Sequence, residues 1–228
     1  MGRIIINPEL KERTFVFTDR VDAAEWLVPM LKDHAGRADE AAVLGIPAGG
    51  VPVALVLADR LGLPFDLIFV RKLHFPDNPE SGFGAVSEHG VLVLNEQLAA
   101  YLDAPTIARV VELEKQALRK RIKALRGPRA PLDLTGRAAI IADDGLASGF
   151  TMLVAIREAR ERGAEKVIVA VPTASAGAAE LVAKEADEVV IANLRSGPRF
   201  AVAEAYTAWR DLSLAEVQAL LRSWQPAA

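Results

Sequence analysis

The chain has 228 residues, a formal net charge of −3 and 51% apolar side chains. That length and apolar content suit one well-filled domain and exclude a disordered chain, and the lack of a global basic field argues against nucleic acid as a partner. No cysteine is present, which excludes disulfides and thiolate metal sites and fits a reducing compartment. The N-terminal stretch lacks an apolar signal-peptide core, and no uncharged apolar run reaches the ~18–20 residues that span a bilayer. The expectation is one cytoplasmic domain over residues 1–228.

Along the chain, Ile4 to Ile6 and Phe15 to Phe17 are short β-like runs split by Asn7-Pro8, suited to an arm or edge strand. Thr18 or Asp19 then caps a helix whose apolar positions are Val21, Ala24, Leu27, Val28 and Leu31, ending near Gly36. Ala41 to Ile46 reads as a buried strand. The turn Pro47-Ala48-Gly49-Gly50-Val51-Pro52 follows, and a helix runs from Val53 to Leu61. Phe65 to Val70 reads as the next buried strand, with Arg71 and Lys72 at its carboxyl end.

Residues 73–90 carry little periodicity and hold Gly82, Gly84 and Gly90, so a lid loop is expected there. His74 and His89 read as solvated loop residues, with contacts of the lid as the alternative, and neither shows metal-ligand spacing. Val91 to Leu94 is a short strand suited to pairing back on the lid. Pro105 to Arg126 is a long amphipathic helix ending in a basic cluster, Arg119, Lys120, Arg121, Lys123, Arg126 and Arg129. Without interleaved aromatics for base stacking, that cluster reads as a solvated helix end.

Ala138 to Ala142 is a buried strand. Asp143 and Asp144 stand at its carboxyl end, followed by Gly145, Leu146, Ala147, Ser148 and Gly149, and a helix starts near Phe150 and Thr151. Such a crevice beyond the strand ends is where open α/β sheets bind ligands, and small residues before a helix N-terminus offer N–H groups to a phosphate. The acid pair would repel that phosphate, so it suits sugar hydroxyls or a magnesium held through water. Val167 to Val171 and Glu188 to Ala192 are further strands, with a helix between them from Ala174 to Glu185. The βαβ alternation implies an α/β fold: a mainly parallel central sheet with helices on both faces. Residues 193–209 bring Leu194, Phe200, Tyr206 and Trp209, and an amphipathic helix closes the chain within residues 210–228.

The run Asp-Asp-Gly-Leu-Ala-Ser-Gly-Phe-Thr closely resembles the phosphoribosyl-pyrophosphate loop of type I phosphoribosyltransferases. The order of motifs is similar to that fold from about residue 18 to 207. The resemblance implies that Asp143 and Asp144 hold ribose hydroxyls and that Gly145 to Thr151 wrap the 5′-phosphate. It further implies that Ala48, Gly49 and Gly50, with Arg71 and Lys72, meet the diphosphate, and that a non-proline cis peptide lies within residues 47–50. Residues 73–90 become the flexible lid and residues 193–209 a hood over the base. The activity implied is transfer of ribosyl 5-phosphate from phosphoribosyl pyrophosphate to a nitrogenous base, with Mg2+ and commonly as a homodimer. Three positions depart from the family pattern. Ala48 stands where close relatives carry Arg. Ala147 stands where 6-oxopurine enzymes carry an Asp base, which disfavours hypoxanthine and guanine. Phe150 replaces a small residue or Lys. These departures leave open a regulatory protein that binds the same ligand without turnover.

Overall fold

The computed structural model describes residues 1–224 of the chain, without the side chains of residues 79 and 80. In chain order its elements are β1 (Arg3–Ile6), α1 (Arg20–Leu27), β2 (Ala41–Gly45), α2 (Gly50–Leu61), β3 (Phe65–Leu67), β4 (Val70–Phe75), β5 (Asn78–Ser87), β6 (Leu92–Leu94), α3 (Glu96–Ala99), α4 (Ala104–Leu125), β7 (Ala138–Ala142), α5 (Phe150–Glu161), β8 (Lys166–Ser175), α6 (Ala176–Val182), β9 (Glu188–Arg195) and α7 (Leu214–Ser223). Six strands form a parallel sheet in the order β1-β9-β8-β7-β2-β3.

Alternate residues of each strand serve opposite faces, because the side-chain period of a strand is two. Ala42, Leu44 and Ile141 pack with α5 and α6 on one face, while Ala41, Val43, Ile140 and Ala142 pack with α1 and α2 on the other. Strands β2 and β7 are neighbours, yet the helices that follow them leave to opposite faces. This opens a crevice at their carboxyl ends, the switch point at which such sheets bind ligands.

Several elements differ from the sequence expectation. The run from Phe65 to Val70 is not one strand. β3 ends at Leu67, where the Ile68 N–H still reaches Gly45 O at 3.1 Å, and the chain then leaves the main sheet. β4, β5 and β6 build a separate antiparallel sheet. Residues 73–90 are therefore mostly strand rather than loop. Leu73 and Phe83 are fully buried and seal a small core with Val86, Ala99 and Val110, a pattern that glycines and prolines hide from a periodicity reading. Val21 is exposed, and Ala23 and Ala24 carry the buried face of α1, which gives way to a 3-10 segment, Val28–His34. Strand β8 runs on to Ser175, whose side chain caps α6, so that helix starts later than expected.

The basic end of α4 is not uniformly solvated. Arg126 is buried, pairs with Glu88, and donates Nη2–H to Leu67 O at 2.7 Å. It closes the break between β3 and β4. The closing helix is Leu214–Ser223, held by a capping box between Ser213 and Glu216. Residues 225–228 lie outside the described residues.

Candidate active site

The site is built from two loops on adjacent strands. After β7 come Asp143 and Asp144, then Gly145 to Gly149, and α5 begins at Phe150. Gly149 takes φ +85°, a left-handed conformation that favours glycine and lets the loop turn directly into the helix. Leu146 bridges to Ala174, and Ser175 Oγ–H donates to Ala147 O at 2.9 Å, so the loop is pinned at its middle. The Leu153 N–H is the first to reach back to Gly149 O. The N–H groups before it belong to the first turn, which has no intrahelical acceptors, and Ala147 and Ser148 are exposed. Those donors and the helix dipole suit an anion. Phe150 turns its ring into the core beside α5 and α6, so it leaves the loop's backbone side open.

After β2, the peptide between Pro47 and Ala48 is cis, as the resemblance implies. Gly49 and Gly50 lie under the acid pair. A Cβ on Gly49 would overlap the Asp144 carboxylate; one on Gly50 would overlap Ala142 O and meet Asp143 Cα at 2.9 Å. Gly50 is required because the two loops touch there through backbone, and Gly49 because the Asp144 carboxylate fills the space a side chain would take. The structure thus gathers Asp143, Asp144, Gly49 and Gly50 at one point, with residues 145–151 continuing from it.

Arg71 and Lys72 sit elsewhere in the chain's layout. They lie on β4 of the second sheet, not at the end of a main-sheet strand. Arg71 donates Nε–H to Glu114 of α4, and the Lys72 side chain runs over Gly82 of β5.

Arg20, which nothing in the local sequence marks, supplies the cation at the acid pair. It is the first residue of α1 after the Asp19 cap, and it is buried. Its Nε and Nη2 both lie 2.8 Å from Asp144 Oδ2, its Nη1–H donates to Arg210 O at 3.0 Å, and its guanidinium stacks 4.1 Å from the Trp209 ring centre. Tyr206 O–H donates to Asp144 O at 2.6 Å from within the core. Tyr206 is therefore a support for the acid pair rather than an exposed ring, although its region was expected to cover a base. Val202 packs against Gly145, where a Cβ would overlap it.

The two carboxyls are not equivalent. Burial raises both above the ordinary carboxylate range. At Asp143 the adjacent Asp144 charge adds to burial and the rise is large; at Asp144 the Arg20 charge opposes it. Asp143 accepts a hydrogen bond from the Asp144 N–H at 2.9 Å but has no cation of its own among the described residues. An under-neutralised pair of this kind suits sugar hydroxyls or a hydrated divalent cation. A cavity of about 710 Å³ lies beyond Arg20 between α1, Trp209 and α7, and its lining includes none of residues 143–151.

Fold and site together define an α/β domain that sets an acid pair beside a small-residue loop at a helix N-terminus, at a sheet switch point. The family model for the phosphoribosyl transferase domain matches residues 22–206, and the chain belongs to that family. It is 40% identical over 208 residues to a Mycobacterium tuberculosis protein whose name provisionally assigns it as a phosphoribosyl transferase, covering 90% of this chain and 46% of that protein. The chain thus spans about half the length of that relative. A ribose-phosphate pyrophosphokinase of Pyrococcus furiosus is 27% identical over 168 residues, covering 63% of this chain and 59% of the enzyme. Among solved structures, TT1426 of Thermus thermophilus superposes with a TM-score of 0.71 at 36% identity, covering 91% of this chain and 98% of that one.

Proposed function

We propose that this domain transfers the ribosyl 5-phosphate group from phosphoribosyl pyrophosphate to a nitrogenous base and releases diphosphate. One observation carries the reading: an acid pair lacking full charge compensation abuts both an N–H-lined loop and a glycine-built loop. Asp143 and Asp144 hold the ribose 2′- and 3′-hydroxyls, and the N–H groups from Ala147 to Thr151 receive the 5′-phosphate. The backbone from Ala48 to Gly50 faces the diphosphate. Arg20 and Tyr206 position Asp144. Arg71 and Lys72 stand at the diphosphate end in this reading; Glu114 takes the Arg71 Nε–H and leaves other donors of its fork for an anion.

The carboxylate oxygens of the acid pair fit a hard cation held through water. Magnesium, when bound, supplies neutralisation of the diphosphate charge. The C1–oxygen bond breaks toward an oxocarbenium-like transition state as the acceptor nitrogen attacks C1, so the protein supplies position, charge and exclusion of water rather than a covalent nucleophile. The β4–β5 hairpin is suited to shielding that centre. Ala147 carries no side-chain base, which disfavours 6-oxopurines as acceptors. A homodimer in the cytoplasm is part of the same reading. Among the described residues, no helix is long and apolar enough to cross a membrane.

A regulatory binder of the same ligand is the second reading, favoured because Arg20 already occupies Asp144 and Glu114 already occupies Arg71. The deciding experiment incubates the protein with phosphoribosyl pyrophosphate, magnesium and a panel of bases and measures diphosphate. Release with at least one base, abolished by EDTA, supports transfer. Binding without release for every base supports the regulator, and no binding removes both.

A further inference from the structure

The turn between β5 and β6 meets the middle of α5 at a second cluster that the phosphate-loop chemistry does not use. Glu158 of α5 is completely buried, and its Oε2 has no hydrogen-bond partner. Its Oε1 faces His89 Nδ1, and His89 is its only ionisable partner among the described residues. Glu88 lies beside them with its side chain 6% exposed, and one ligand atom from each of Glu88, His89 and Glu158 fits within 4.8 Å of the others. Burying a carboxylate with one oxygen unpaired is costly, and such an oxygen calls for a missing partner.

We infer that Glu88, His89 and Glu158 form a binding site for one divalent transition ion, zinc by ligand type, which ties the β5–β6 turn to α5. An imidazole nitrogen with two carboxylates, and no thiolate, is a zinc-type donor set. Arg126 donates to both Glu88 oxygens. A carboxylate has about four lone-pair sites, so this contact leaves donors for an ion and fixes the ligand's orientation. The His89 side chain is 51% exposed, which leaves room for water to complete the coordination. A cavity of about 170 Å³ is lined by Glu88, His89 and Gly90, so it reaches two of the three ligands, with Glu158 buried behind them. Of the two cations on its α4 wall, Arg119 is paired with Glu112 at 2.8 Å, and Lys115 lies beside Gly90; neither bonds Glu158. His89 and Glu158 are 69 residues apart in sequence, which is why His89 shows no metal-ligand spacing. Glu158 stands eight residues into α5, roughly 12 Å along the helix at 1.5 Å per residue from the phosphate loop. The ion would therefore brace the helix that carries that loop.

The test is calorimetric titration of the chelator-treated full chain with zinc chloride, alongside His89→Ala. His89 is on a partly exposed turn, so its loss spares the core; Glu158→Gln is the second variant. The expected result is one zinc site per chain whose affinity is weakened at least about tenfold in His89→Ala, with a zinc-induced rise in Tm that is larger in the wild type than in the variant. Zinc held at Asp143 and Asp144 would be common to both proteins and so subtracts out. X-ray absorption of the zinc-loaded wild type should show nitrogen and oxygen neighbours and no sulfur. Absence of saturable zinc binding, or equal affinity in wild type and His89→Ala, overturns the site and leaves His89 as a hydrogen-bond partner of Glu158.

Discussion

Replacing Asp143 and Asp144 separately by Asn tests the asymmetry of the acid pair. Asp143 bears a charge that burial and its neighbour both oppose. Asp144 bears a charge that Arg20 compensates, with side chains only 10% and 16% exposed for Arg20 and Asp144. Asp143→Asn removes an unfavourable charge and should stabilise the ligand-free protein by about 1 kcal/mol, the usual scale for relieving a functional site. Asp144→Asn leaves a buried guanidinium without its carboxylate and should cost about 3 kcal/mol. At roughly 2–4 °C per kcal/mol for a chain of this size, Tm should rise by a few degrees in the first variant and fall by about 6–12 °C in the second. Both should weaken binding of phosphoribosyl pyrophosphate, measured by calorimetry.

The pH dependence has a fixed sign. The folded-state value at Asp143 lies well above the ordinary 3.8, so within that window the folded protein holds a proton that the unfolded chain has released. Stability therefore falls as pH rises from about 4 through the raised value. Denaturant midpoints across that range should decline in the wild type and decline less steeply in Asp143→Asn, where only the raised Asp144 still contributes. A Tm lowered by Asp143→Asn as much as by Asp144→Asn, or a wild-type stability that rises with pH there, would refute the assignment of the uncompensated charge to Asp143.

Two further outcomes follow from packing. Gly49→Ala drives a methyl into the Asp144 carboxylate; it should destabilise by about 1–3 kcal/mol and weaken ligand binding, as read by melting with and without phosphoribosyl pyrophosphate. Arg126→Leu strips Glu88 of its partner where both side chains are at most 6% exposed, so a loss of about 3–5 kcal/mol in denaturant titration is expected.

The central motif is legible in sequence because its parts are contiguous. An apolar five-residue strand, two acids, a loop of small residues and a helix start all lie within Ala138 to Thr151. Local rules of burial, glycine conformation and capping act over that range. The same rules find β2, the start of α1 at Asp19 and the capped α7. They fail between Phe65 and Val70, since an unbroken apolar run does not reveal that Ile68 and Phe69 serve a crossing between two sheets. They fail again over residues 73–90, where Leu73 and Phe83 seal a small separate core.

By itself, the sequence determined the parallel α/β plan and the loop that carries the acid pair. Only the tertiary structure decided what surrounds that pair: Arg20, 124 residues away, on Asp144; Tyr206 on its carbonyl; and Gly49 and Gly50 beneath it. The same holds for His89 against Glu158. The physical reason is that charge compensation and backbone contact depend on distance in space, and packing of strands β2 and β7 side by side brings together residues whose spacing along the chain carries no signal.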